Sequence, residues 1–169
     1  MVYYNYSKGQ NKVLKERVGT MTKTIWFDMD GTIADLYHVK GWLADIRAEN
    51  PRPYIAAKPI YNDYLDIVIK KLIDKGYRIG IISYVAHDST DTYAENVTIA
   101  KRNWLAHNFP YADADKIHIV TKATPKSTYC DGGYLVDDED TNLIDWENAG
   151  GRVINARTNI IWKLWELAR

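Results

Sequence analysis

The chain has 169 residues, 46% of them hydrophobic, enough for one domain with a sizeable core and too few for two full-sized ones. Its 22 basic and 22 acidic residues cancel, which argues against broad electrostatic binding to nucleic acid or to an anionic membrane surface. The single cysteine, Cys130, excludes an intrachain disulfide and a thiolate zinc cluster, and no apolar stretch is long enough to cross a bilayer or serve as a signal-peptide core. A soluble, cytoplasmic protein is the expectation.

The first 20 residues, MVYYNYSKGQNKVLKERVGT, lack a sustained amphipathic period and read as a surface extension, leaving residues 21–169 as the core domain. The first strong element is TIWF at 24–27, a buried strand that runs directly into Asp28-Met29-Asp30-Gly31-Thr32. From Asp35 to Pro59 the pattern breaks. LYHVKGWLADIRAEN reads as one helix and NPRPYIAAKP as an irregular return, together too long for a simple strand-to-helix turn and suited to a small cap over the strand's end.

Next, DYLDIVIKKLIDKGY places Tyr64, Leu65, Ile67, Val68, Leu72 and Ile73 largely on one helical face, with Gly76 as C-cap. RIGII at 78–82 is a second strand, ending at Ser83. NVTIAKRNWLAHNF is a second helix with Val97, Ala100, Trp104 and Leu105 as its apolar side. IHIVT at 117–121 and GYLV at 133–136 are further strands, and RVIN at 152–155 a weaker fifth. Strands alternating with helices predict an α/β fold, a parallel sheet covered by helices on both faces in three Rossmann-like layers. In such sheets functional groups gather at the carboxyl ends of the strands.

Those ends carry a coherent chemistry. Asp28, Asp30 and Thr32 follow the first strand, Ser83 the second, Lys126 lies beyond the third, and Asp137-Asp138 close the fourth. Thr124 and Pro125 look like the N-cap and first residue of a helix that Lys126 opens. Adjacent carboxylates repel unless a cation lies between them, and a set of hard carboxylate oxygens suits Mg²⁺.

These motifs resemble the haloacid dehalogenase superfamily of phosphohydrolases: DMDGT at 28–32, Ser83 after IGII, Lys126, and the aspartate pair 137–138 after GYLV. The resemblance covers residues 24 to about 155. It implies phosphoryl transfer through an aspartyl-phosphate, with Asp28 as nucleophile and Asp30 as acid and base. It also implies Mg²⁺ held by Asp28, the Asp30 carbonyl, Asp137 and Asp138, and Ser83 and Lys126 on the phosphoryl group. Lys122 is the competitor for the lysine role. The helical insert, IAKRNWL at 99–105 and LVDDE are most similar to the 5′(3′)-deoxyribonucleotidases, which adds Lys101 as a phosphate ligand. The chain departs from them in having Ser83-Tyr84-Val85 where Thr-Ser or Thr-Ser-Pro is common.

Thirteen tyrosines and six tryptophans against two phenylalanines suit a wet pocket that stacks on a base. Tyr37, Trp42, Tyr54 and Tyr84 are the candidates, with Arg47, Arg52, His87 and Asp88 as further polar neighbours. The expected partner is therefore a small phosphorylated metabolite, foremost a nucleoside monophosphate, with a homodimer left open. The alternatives are a nucleic-acid-end phosphatase and a non-enzymatic phosphoacceptor of the response-regulator kind. A receiver would carry its acidic pair on the first strand, whereas here the pair comes last.

Overall fold

A computed structural model describes residues 23–61 and 63–169; the N-terminal extension expected at 1–20 lies outside them. In chain order the elements are β1 (Thr24–Phe27), β2 (Ala34–Asp35), α1 (Trp42–Arg47), α2 (Arg52–Ala56), β3 (Lys58–Pro59), α3 (Asp63–Asp74), β4 (Arg78–Tyr84) and α4 (Asp91–Asn108). There follow β5 (Ile117–Val120), β6 (Tyr134–Asp137), α5 (Asp140–Asn148), β7 (Arg152–Asn155) and α6 (Ile160–Ala168), with single 3-10 turns at Ala114–Lys116 and Lys126–Tyr129.

The five long strands form one parallel sheet in the order β5-β4-β1-β6-β7. Alternation along each strand divides it between two cores. Ile25, Phe27, Ile79, Ile81, Val136 and Ile154 point to the face covered by α3 and α6. Trp26, Ile82 and Leu135 point to the other, where Leu143 and Trp146 of α5 pack. Gly80 lies opposite Trp26 in the register, where any Cβ would collide with the indole ring. The sheet is thus the helix-covered parallel α/β architecture that the alternating pattern predicts.

The strand order positions the site. From β1 the chain moves to β4 and β5 on one side, then returns to lay β6 and β7 on the other. The crevice at the switch point opens at the carboxyl end of β1, where Asp28 and Asp30 follow.

Several local expectations change. Residues 36–50 do not form one helix: Tyr37–Gly41 run through turns and a bend, and α1 starts after Gly41, whose φ of 77° is left-handed. The prolines of the return do not keep it irregular, because Pro51 is the N-cap and Pro53 lies in the first turn of α2, where a missing N–H is tolerated. Asp35 and Lys58 then pair in a short antiparallel ribbon that ties the two ends of the excursion together. On α3 the buried face is Leu65, Val68, Ile69 and Leu72, while Tyr64, Ile67 and Ile73 are exposed. Gly76, at φ 87°, ends α3 as expected: its N–H bonds to the Ile73 carbonyl and that of Tyr77 to Leu72, a Schellman closure. Among the described residues no helix is long and apolar enough to cross a membrane.

Candidate active site

The site begins with a tight turn. The N–H groups of Thr32, Ile33 and Ala34 converge on the Met29 carbonyl, and Gly31 donates to Ala34. Met29 is thereby buried, while Asp28 and Asp30 flank it at the mouth of the sheet. Gly31 has φ 83°, and a Cβ there would run into the Asp138 carboxylate and the Tyr37 ring. Only glycine suits both that conformation and that space.

Each of the two aspartates has its own ammonium. Lys126 is 2% exposed and donates to Asp28 Oδ1 at 2.5 Å and to Asp137 Oδ2 at 2.7 Å. Burial disfavours its charge, but Asp28 and Asp137 together outweigh this and hold the ammonium firmly protonated. Thr124 is not the cap expected for its turn: Pro125 occupies that place and Lys126 opens a 3-10 turn. Lys101, fully buried on α4, donates to Asp30 Oδ2, to Ser83 Oγ at 2.8 Å and to the Tyr84 carbonyl at 2.6 Å. The Tyr54 ring covers it, 4.9 Å from Nζ. The cation required by the Asp-x-Asp repeat is therefore in part supplied by the chain itself.

The remaining carboxylates are less relieved. Burial and then Asp28 push Asp137 upward, and the same two causes raise Asp138 to about 6. Asp30 is also raised, chiefly by burial, against the pull of Lys101. Asp28, Asp137 and Asp138 each offer an oxygen within 4.8 Å of the others. Three hard donors at that spacing fit an octahedral Mg²⁺ that fills its other positions with water or phosphate. Among the described residues Asp30 Oδ1 and Thr32 Oγ1 are buried without a hydrogen-bond partner, so the turn beside this triad holds polar groups that those residues leave unsatisfied.

A cleft of about 340 Å³ opens over these groups. Tyr37, Trp42, Tyr54 and Tyr84 all line it, as do His87 and Lys122. Tyr37 and Trp42 meet edge to face with centroids 5.1 Å apart. Tyr54 is buried, whereas Tyr37 is 47% exposed. Lys122 stands at the exposed rim, 4.7 Å from the Tyr84 ring centroid, so of these two rivals it is Lys126 that contacts Asp28 and Asp137. Arg52 is held by Asp45 and the Lys40 carbonyl, and Arg47 is exposed outside the cleft. Asp88 pairs with His87 at 2.6 Å, both in solvent. Among the described residues, the larger concavities lined by Lys58–Tyr61, Tyr64 and Ile161 and by Ile55, Trp104 and His107 have no carboxylate in their walls, and one beside His38 and Lys58 has Asp35 alone.

Two polar groups went unread in the sequence. Glu139 N–H donates to Asp137 Oδ1 at 2.8 Å, and Asn142 Nδ2 donates to both Asp137 oxygens at 3.2 and 3.1 Å. The signal was there in DDEDTN: an asparagine in the first turn of a helix that directly follows the strand can reach back to its last residue.

No protein-family model and no curated protein sequence matches the chain. Solved structures resemble it at low identity. One is a D,D-heptose 1,7-bisphosphate phosphatase from Burkholderia thailandensis, 17% identical with TM-score 0.48, the match covering 77% of this chain and 75% of that one. Another is a HAD family enzyme from Bacteroides thetaiotaomicron in complex with magnesium and inorganic phosphate. It is 12% identical with TM-score 0.42, the match covering 79% of this chain and 93% of that one.

Proposed function

We propose that the chain is a Mg²⁺-dependent phosphatase of the haloacid dehalogenase type that hydrolyses a small phosphate monoester through an aspartyl-phosphate. The observation that carries this reading is the division of labour at the end of β1: Asp28 bonded to Lys126, and Asp30 bonded to Lys101. A nucleophile needs its lone pairs and a positive neighbour for the incoming phosphoryl oxygens, and an acid needs a proton to give. Asp28 has the Lys126 ammonium beside it, and burial raises Asp30 toward the protonated form of an acid against the pull of Lys101, which suits those separate needs.

In the first step an Asp28 carboxylate oxygen attacks phosphorus, and the bond from phosphorus to the ester oxygen breaks. Asp30 gives that oxygen its proton, so the product leaves as a neutral alcohol. In the second step Asp30 takes a proton from water as its oxygen attacks phosphorus, orthophosphate departs, and the Asp28 carboxylate is regenerated. Lys126 and Ser83, with Lys101 behind them, supply fixed donors for the phosphoryl oxygens, whose charge dominates the barrier. Asp28, Asp137, Asp138 and the Asp30 carbonyl would hold Mg²⁺, which supplies further neutralisation of that charge.

Residues 35–59 act as the cap in this reading, and the substrate is a nucleoside monophosphate. Tyr37, Trp42 and Tyr84 support it, because rings with polar handles on the cleft wall suit a heterocycle in a wet site. The small cleft volume and the balanced charge favour a free monoester over a nucleic-acid end. Phosphate release from 5′- and 3′-nucleoside monophosphates and sugar phosphates, with Mg²⁺ and with chelator, tests both levels. Release that needs the metal and vanishes in Asp28→Asn supports the mechanism. No release from any monoester sinks it, and a preference for sugar phosphates sinks only the nucleotide part.

A further inference from the structure

Tyr84 is the last residue of β4, next to Ser83, and it touches the polar machinery on several sides. Its hydroxyl accepts from the backbone N–H of Lys126 at 3.3 Å and donates to Asn142 Oδ1 at 3.4 Å. Its ring lies 5.0 Å from Lys126 Nζ, within the range of a cation–π contact. Its carbonyl accepts from Lys101 Nζ. Asn142 in turn spends its amide N–H groups on the two oxygens of Asp137.

We propose that Tyr84 is a positioning residue, a clip whose hydroxyl fixes the turn bearing Lys126 and the amide of Asn142 so that Lys126 and Asp137 stand correctly toward Asp28. The proposal rests on the phosphatase reading for its kinetic form. The geometry says why a hydroxyl is needed. Lys126 begins a 3-10 turn with no side-chain cap, so its N–H has no intrahelical partner, and the phenol oxygen is the acceptor that reaches it. The same oxygen fixes which way round the Asn142 amide sits, because a donor at Oδ1 directs Nδ2 to Asp137. With that hydroxyl gone, the turn loses an anchor and the amide can rotate. Groups that orient a ligand through one intervening residue commonly contribute about tenfold or more to activity or metal affinity.

This role separates from base stacking by experiment. A stacking ring is equally well served by phenylalanine, whereas a clip is not. Tyr84→Phe and Tyr84→Leu are compared with the wild type on a ring-free monoester, glycerol 3-phosphate, and on a nucleoside monophosphate, with kcat and KM resolved. The clip predicts that Tyr84→Phe lowers kcat about tenfold on both substrates and leaves the ratio of their KM values unchanged. A Tyr84→Phe variant with wild-type kcat on both overturns it, as does a loss confined to the nucleotide. If the wild type hydrolyses no monoester of the wider panel, the phosphatase reading falls by itself, and Mg²⁺ titration by calorimetry then judges the clip. Affinity weakened about tenfold in Tyr84→Phe supports it, and an unchanged affinity overturns it. Because phenylalanine keeps the ring in place, this variant tests the hydroxyl without opening a cavity.

Discussion

Lys126 Nζ lies 2.5 Å from Asp28 Oδ1, and the pair is almost completely buried, with side-chain exposures of 1% and 9%. A second carboxylate, Asp137, shares the ammonium from the other side. Removing the charge by Lys126→Met leaves two buried carboxylates facing each other, the situation that breaking a buried pair makes costly, about 3–5 kcal/mol. Two outcomes follow. In chelator the variant melts well below the wild type, and saturating Mg²⁺ raises its melting temperature by more than it raises that of the wild type. Activity, if the proposed chemistry is right, falls about 10²–10³-fold, the usual loss for one donor to a developing oxyanion. A Mg²⁺-induced shift no larger than in the wild type would show that Asp28, Asp137 and Asp138 do not share a cation site.

Asp28→Asn keeps the shape of the side chain and removes the proposed nucleophile. Turnover should drop by at least about 10³-fold, and the folded fraction should not, because the amide still accepts from Lys126. Asp30→Asn should be nearly as severe on esters with poor leaving groups, and milder on p-nitrophenyl phosphate, whose leaving oxygen needs no proton. Equal losses of Asp30→Asn on both substrates would argue that Asp30 acts by position and not as an acid.

Gly31 and Gly76 have almost the same left-handed φ, 83° and 87°, but differ in what surrounds them. At Gly76 an added Cβ meets nothing within 4 Å among the described residues, so Gly76→Ala should cost only the conformational strain, about 1–2 kcal/mol. At Gly31 the same methyl meets Asp138 and Tyr37. Gly31→Ala should therefore lose Mg²⁺ affinity and activity beyond its loss of stability, read by calorimetry and chemical denaturation on the two variants side by side.

What the sequence made legible was the chemistry that sits next to strands. TIWF into DMDGT, IGII into Ser83 and GYLV into Asp137-Asp138 each join a buried strand to a candidate residue by direct succession, so finding the strand places that residue at the sheet's carboxyl end. Lys101 and Lys126 are harder. Their ends of the contact are 71 and 98 residues from Asp30 and Asp28, and only the strand order joins them. Asn142 was missed because a polar residue on an amphipathic helix ordinarily faces water, and its reach to Asp137 depends on how α5 leaves β6. The excursion after β1 differs from a single helix because the helical pattern there is interrupted by a left-handed Gly41 and restarted after Pro51, and the segment packs Leu36 and Tyr54 against α4.

That fold-back has a clasp whose pH dependence can be stated. Glu49, in the left-handed region at φ 53°, accepts from the Thr90 N–H at 2.9 Å and from the Thr90 hydroxyl at 2.8 Å. Thr90 is the N-cap of α4, the helix that carries Lys101. Tyr93 adds a bond to the Asn50 carbonyl, and Leu36 and Tyr54 pack on Val97 and Ala100 beneath. The hydrogen bonds from Thr90 N–H and then its hydroxyl hold the Glu49 carboxyl below its ordinary value of 4.5. A depressed folded-state value means that the unfolded chain binds the proton more readily, so the clasp's contribution is present above pH 4.5 and is lost as the pH falls through the lower, folded-state value. Glu49→Gln removes the charge and keeps the shape. Its denaturation midpoint should lie below that of the wild type near neutral pH and converge on it in acid. A gap that stays constant from neutral to acid would mean that the Glu49 charge does not hold residues 35–59 onto α4.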